Sequence, residues 1–283
     1  MQWLASVAVL TFAALAGVYV LWRRRRIASE GLASFESALR TPSPQPESGP
    51  IYFHPVLLAE LPEPAARYLG WSLADGVPVR DGVHLKMTGR IRLGRGRPWL
   101  PLRCEEVYQA RRGFVWKAST RNLLRIAGFD RYAHGQGQMY WTLFGLIPVM
   151  RASGPDVSRS ARERFVAERM LAPASLLPSE DVEWRALSEN SVLLRIREQG
   201  EWLGCRLIVD PDGMPRKLTF PRWGNLESSD GQWREIPYSV RFEGVFRTGG
   251  FSLPHELQAS WWSGTDRELS VVDLEIEQAE FFD

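Results

Sequence analysis

The sequence predicts a mainly β (α+β) fold: an N-terminal transmembrane helix, then a curved antiparallel β-meander, an incomplete barrel wrapped around one or two helices. Three observations predict it. From residue 84 onward apolar side chains recur at every second position, and turn signals separate the runs. Two segments, 55–71 and 157–171, carry helical spacing instead. A charge-free apolar stretch opens the chain. With 283 residues, 45% of them hydrophobic, there is ample material for one sizeable core.

Trp3 to Trp22 has about the length needed to cross a hydrocarbon core, and Trp3, Tyr19 and Trp22 near its ends suit a membrane–water interface. A cleaved signal peptide would need a basic n-region, and its apolar run would stop near Ala14-Leu15-Ala16; this run continues to Trp22. Arg23 to Arg26 follow directly, and the positive-inside bias then predicts a single-pass protein of the bacterial cytoplasmic (inner) membrane with its folded domain in the cytoplasm. The alternative is a periplasmic or extracellular domain. Residues 27–40 space Ile27, Leu32, Phe35 and Leu39 as a short amphipathic helix, which would continue the anchor or lie on the bilayer surface. Residues 41–50, TPSPQPESGP, read as an extended tether. The expected organisation is a transmembrane anchor over 1–22, a basic juxtamembrane segment and Pro-rich linker over 23–50, and one β-rich domain over 51–283.

In the domain, Leu85, Met87, Ile91 and Leu93 share one face of a strand, with Lys86, Thr88, Arg90 and Arg92 on the other. Residues 201–220 form a hairpin turning at Asp212-Gly213, a pair suited to positive φ. Tyr238, Val240 and Phe242 alternate with polar residues, and Gly249-Gly250 turns the chain into 251–262. In the last strand Val272, Leu274 and Ile276 alternate with Asp273, Glu275 and Glu277. Such a meander has one dry face that helices must cover. Segment 55–71 is broken by Pro62 and Pro64. Segment 157–171 pairs Ser160 with Glu163 as a capping box and offers Phe165, Val166, Met170 and Leu171 as its apolar stripe.

Known chemistries are mostly excluded. Gly135-Gln136-Gly137 begins a dinucleotide fingerprint, but its third position is Tyr140, and no phosphate-binding P-loop occurs. Met139 to Met150 is too short to span a membrane. Read as one strand it is apolar on both faces, which suits either a central core strand or a wall of a greasy cavity. Gly135 and Gly137 then serve a tight turn into it. Setting the four anchor arginines aside leaves a net charge of about −2, which argues against a nucleic-acid partner. Cys104 and Cys205, with no His at zinc-ligand spacing, read as two buried free thiols, so neither a metal nor a cofactor is expected. Twelve Trp suit a lined cavity or a Trp-rich core.

The segments GFVWKAS, AGFDRYAHGQGQMYWTLFGLIPVMRASGPD and RFVAERMLAPASLLPSEDVEW carry a combined pattern: Gly135, Gly137, Met139, Gly145, Leu146, Pro148, Val149, Glu168, Leu176, Leu177, Pro178, Ser179 and Trp184. Upstream stand Leu61, Pro62, Pro64, Arg67, Tyr68 and Leu69. Over about residues 60–283 the chain resembles a bacterial family of unknown function with this pattern, a resemblance that implies no activity. The helix-plus-meander layout is also similar to half-barrel lipoprotein carriers of the bacterial envelope, the LolA/LolB type, which would imply a concave pocket and a site outside the cytoplasmic membrane.

The expectation is a membrane-anchored, non-catalytic binding protein for an apolar ligand, a lipid or acyl chain, with Trp116, Met139, Trp141, Phe144, Trp184 and Trp261 facing the cavity. An enzyme acting on a lipid or envelope precursor would instead use His255 with Glu180, Asp181 or Glu183, and requires those groups to converge. A ligand-free interaction or scaffold domain would show a solid core.

Overall fold

The computed structural model describes Gly17, Tyr19, Arg23 and residues 30–42, 51–123, 125–228 and 230–283. Within these residues thirteen strands form one antiparallel sheet. They are β1 (Gly82–Ile91), β2 (Leu100–Gln109), β3 (Gly113–Thr120), β4 (Ile126–Ala133), β5 (Gln136–Leu143), β6 (Ile147–Ser153), β7 (Val182–Ser188), β8 (Ser191–Glu198), β9 (Glu201–Val209), β10 (Pro215–Gly224), β11 (Arg234–Thr248), β12 (Phe251–Trp261) and β13 (Leu269–Phe282). The order is β6-β5-β4-β3-β2-β1-β13-β12-β11-β10-β9-β8-β7, two meanders joined where β1 pairs with β13. Strands β6 and β7 are the free edges.

Helix α1 covers 30–40, α2 is Glu63–Ser72 and α3 is Pro155–Glu168. Helix α3 joins the edge strands, followed by short 3-10 turns at Arg169–Leu171 and Pro173–Leu176, and packs across the concave face against β5 and β10. The expected stripe is buried, Phe165 and Val166 on α3 and Met170 and Leu171 on the 3-10 turn that follows it. Helix α2 lies at the end of the sheet where β9 turns into β10 and β11 into β12. There a side chain at Gly213 would strike the Arg67 carbonyl at 2.5 Å, and Ala74 N–H donates to the Gly250 carbonyl. Tyr68, Leu69 and Leu73 are buried there. That end of the barrel is filled.

Several expectations change. The break at the prolines is present, between a 3-10 turn at Pro55–Leu58 and α2, but the second piece is a full ten-residue helix: Pro62 is its N-cap and Pro64 lies in its first turn, where no backbone N–H is needed. No capping box forms in α3, because the helix starts three residues before Ser158 behind Gly154, placing Ser160 inside it. Residues 139–149 are not one strand: Phe144 and Gly145, both at positive φ, fold β5 back onto β6. Gly135 turns the chain at φ 75°, but Gly137 does not; its missing side chain admits α3, since a Cβ there would lie 2.8 Å from the Val157 carbonyl. The amphipathic segment also finds a protein surface. Leu32, Phe35 and Leu39 pack on Val107, Val115 and Phe129, on the outer face of the sheet, with Glu36 paired to Lys117 at 2.7 Å.

The single-pass, cytoplasmic-membrane localisation is corrected. No helix among the described residues is long and apolar enough to cross a membrane. The transmembrane reading of 1–22 and the tether at 41–50 fall largely outside the described residues. Both cysteines are free and buried, and burial pushes each thiol up to about 12.

Candidate functional site

Opposite the α2 end the barrel is hollow. A cavity of about 580 Å³ lies between the C-terminal half of α3 and the inner faces of β1–β6 and β10–β13. Its wall follows from strand alternation: Met87 and Ile91 of β1, Met139, Trp141 and Leu143 of β5, Tyr238, Val240 and Phe242 of β11, Val272 and Leu274 of β13. Leu93, Val149 and Met150 line it and are also solvent-exposed, which marks its mouth.

The cavity brings Trp116, Met139, Trp141 and Trp261 together. The Trp116 and Trp141 rings meet at 5.7 Å, and Trp261 meets Tyr238 edge-on at 4.9 Å. It does not bring in Trp184 or Phe144. The Trp184 indole is buried against Tyr68 and donates to the Leu176 carbonyl at 2.9 Å, where it fastens the second 3-10 turn. Phe144 is exposed at the β5–β6 turn. Much of the remaining Trp content is surface stacking: Trp99, Trp202, Trp223 and Trp262 lie under arginine guanidinium groups.

The residues of the enzyme hypothesis do not converge. Asp181 is paired with Arg197 and Glu183 with Arg195, both at 2.8 Å across the β7–β8 edge. Glu180 is an exposed residue ahead of β7. His255 sits on β12 beside Gly244, five strands away in the sheet order.

A charged group that the sequence reading missed lies in the cavity wall. Arg164 of α3 donates to Glu168 at 2.6 Å and Asp130 at 3.2 Å, and lies 3.6 Å from the buried Glu106. Asp130 also accepts the Trp141 indole N–H at 2.9 Å. Burial, and then the neighbouring Glu168 charge, push the Glu106 carboxyl well above the usual carboxylate range. Burial raises Asp130 as well, with Arg164 opposing. Burial works against the Arg164 cation, but Glu168, Glu106 and Asp130 hold it firmly charged. Arg222 of β10 is different. It stacks on Tyr238 at 4.7 Å and Trp261 at 4.9 Å, and its Nε is buried with no hydrogen-bond partner among the described residues. No ion pair holds it within the same set.

No grouping of His, Cys, Asp and Glu among the described residues suits a metal ion. The cavity presents an apolar lining, an ionic group in which Glu106 Oε1 and Glu168 Oε2 have no hydrogen-bond partner among the described residues, and the Arg222 guanidinium with its Nε unpartnered.

Residues 52–271 match a family described as "Family of unknown function (DUF6544)". Similar solved structures include a LolA superfamily protein from Nitrosomonas europaea, with TM-score 0.43 and 10% identity over 78% of this chain and 92% of that one. Another is an outer membrane lipoprotein-sorting protein domain from Vibrio parahaemolyticus, with TM-score 0.39 and 12% identity over 77% and 89%. A DUF1329 family protein from Desulfovibrio piger gives TM-score 0.33 and 9% identity over 71% and 86%. No curated protein matches the chain.

Proposed function

We propose, for a chain that belongs to the DUF6544 family of unknown function, that it is a non-catalytic binding protein whose cavity takes the acyl chain of an amphiphile. The observation that carries this reading is the cavity itself: about 580 Å³, walled by Met, Leu, Ile, Val and aromatic side chains and reaching solvent at one end. A hollow of that size and lining, with few polar groups, is what an apolar ligand requires. Arg222 supports a polar end on that ligand. Its aromatic stack fixes the guanidinium plane, and its orphaned Nε leaves a donor for a carboxylate or phosphate oxygen.

The test uses the purified full chain, free of detergent. A naphthylamine dye should fluoresce in the cavity, and both oleate and oleyl alcohol should displace it. Native mass spectrometry should also find co-purified lipid. Arg222→Met should weaken oleate about tenfold or more while leaving oleyl alcohol nearly unchanged, as expected for one charge-assisted contact. Failure of the dye and both lipids, with no co-purified lipid, would falsify the cavity reading. Equal losses for acid and alcohol would remove Arg222 from it.

A further inference from the structure

Three hairpin segments rim the mouth on the β1–β6 side: RLGRGRPW (92–99), RNLLR (121–125) and FGLIPVMR (144–151). Together they contain six arginines and no Asp, Glu or Lys. Arg97, Arg121, Arg125 and Arg151 are exposed and in no ion pair among the described residues. Between them stand large apolar side chains that the fold does not bury. Leu123 is 97% exposed, and Leu93, Phe144, Ile147, Val149 and Met150 are all exposed too. The segments form a continuous rim, because Phe144 N–H donates to the Arg125 carbonyl at 2.6 Å and Arg121 N–H to the Pro101 carbonyl at 2.8 Å.

Across the mouth the chemistry differs. The β10–β11 and β12–β13 loops carry four acids, Glu227, Asp230, Asp266 and Glu268, against one arginine, Arg267, and Glu227 takes Arg95 from the rim. Arg97, Arg121, Arg125 and Arg151 therefore leave the excess positive charge on the side that also exposes the apolar tips. Exposed apolar side chains interleaved with unpaired arginines are the signature of a surface that enters a bilayer interface, the apolar groups reaching the acyl boundary and the guanidinium groups meeting lipid phosphates.

We propose that this rim docks onto an anionic lipid surface and opens the cavity mouth toward it. The inference rests on the rim's charge and exposure, so it stands or falls separately from the identity of the cavity ligand.

The full chain carrying Leu123→Cys, labelled with an environment-sensitive nitrobenzoxadiazole dye, tests this; Cys104 and Cys205 are buried and stay unlabelled. Arg111→Cys, in the turn at the opposite end of β3, is the reference site. On vesicles of phosphatidylcholine with phosphatidylglycerol, the label at 123 should shift to the blue and be quenched by spin-labelled acyl chains. The label at 111 should not respond. Phosphatidylcholine alone should give a several-fold smaller response, and adding Arg97→Gln, Arg121→Gln and Arg125→Gln should lower the response at least about tenfold. No response at 123, or an equal one at 111, overturns the proposal. Insensitivity to phosphatidylglycerol overturns its anionic part, and a concentration-dependent shift without vesicles assigns the rim to a second copy instead.

Discussion

Arg164 is the residue on which the charge of the cavity wall turns. Three carboxyl groups meet one guanidinium, and burial together with the Glu168 charge raises the most buried of them, Glu106, well above the usual carboxylate range. The sign for stability follows. A carboxyl raised in the folded state gives stabilisation that is fully present below its unfolded value and is lost as pH rises through the folded one. The wild-type chain should thus lose up to about 1.4 kcal/mol per pH unit over that window relative to Glu106→Gln. Denaturant midpoints of both proteins across a pH series check this; parallel curves would mean that Glu106 titrates alike in the folded and unfolded chain. The group was legible only in part. Glu106 shares the inward phase of β2 with Cys104, and Arg222 shares that of β10 with Phe220, so each is a charge in an apolar phase. That signal marks them singly. Their convergence depends on the curvature of the sheet, which no local pattern encodes.

Among the elements, β5 and α3 fix the shape of the cavity. They approach so closely that Gly137 N–H donates to the Ser158 hydroxyl at 3.0 Å. Gly137→Ala would place its methyl 2.8 Å from Ala161 Cβ and from the Val157 carbonyl. It should cost about 1–3 kcal/mol by overpacking and, by lifting α3, should lower dye binding further than the stability loss explains. Equilibrium unfolding and dye titration of the variant measure both. Alternation revealed the strands well: Met87 and Ile91, Tyr238 and Phe242, Val272 and Leu274 face inward as their phase requires. The break at Phe144-Gly145 was hidden, because an aromatic residue at positive φ is uncommon and nothing in the apolar run marks it. Trp184 was misplaced for a related reason. Its inward phase on β7 was legible, but β7 is the far edge, where inward means the 3-10 turns and not the hollow.

For the whole molecule, one sheet carries both halves, and this makes a cooperative unit the expectation. Cys104 in β2 and Cys205 in β9 report on the two meanders. Both thiols should resist maleimide in the folded chain. In urea they should become reactive with the same midpoint, coincident with the loss of Trp fluorescence. Earlier labelling of one thiol would show that the meanders unfold separately. The asymmetry between the packed end at α2 and the hollow end has a consequence for sequence drift. At the α2 end Tyr68, Leu69 and Leu73 are buried outside the cavity lining, whereas Met87, Leu102, Trp116, Phe220 and Phe242 both belong to the core and line the hollow. Exchanges in the second group should therefore alter cavity shape and stability together, while exchanges at the α2 end act on stability alone.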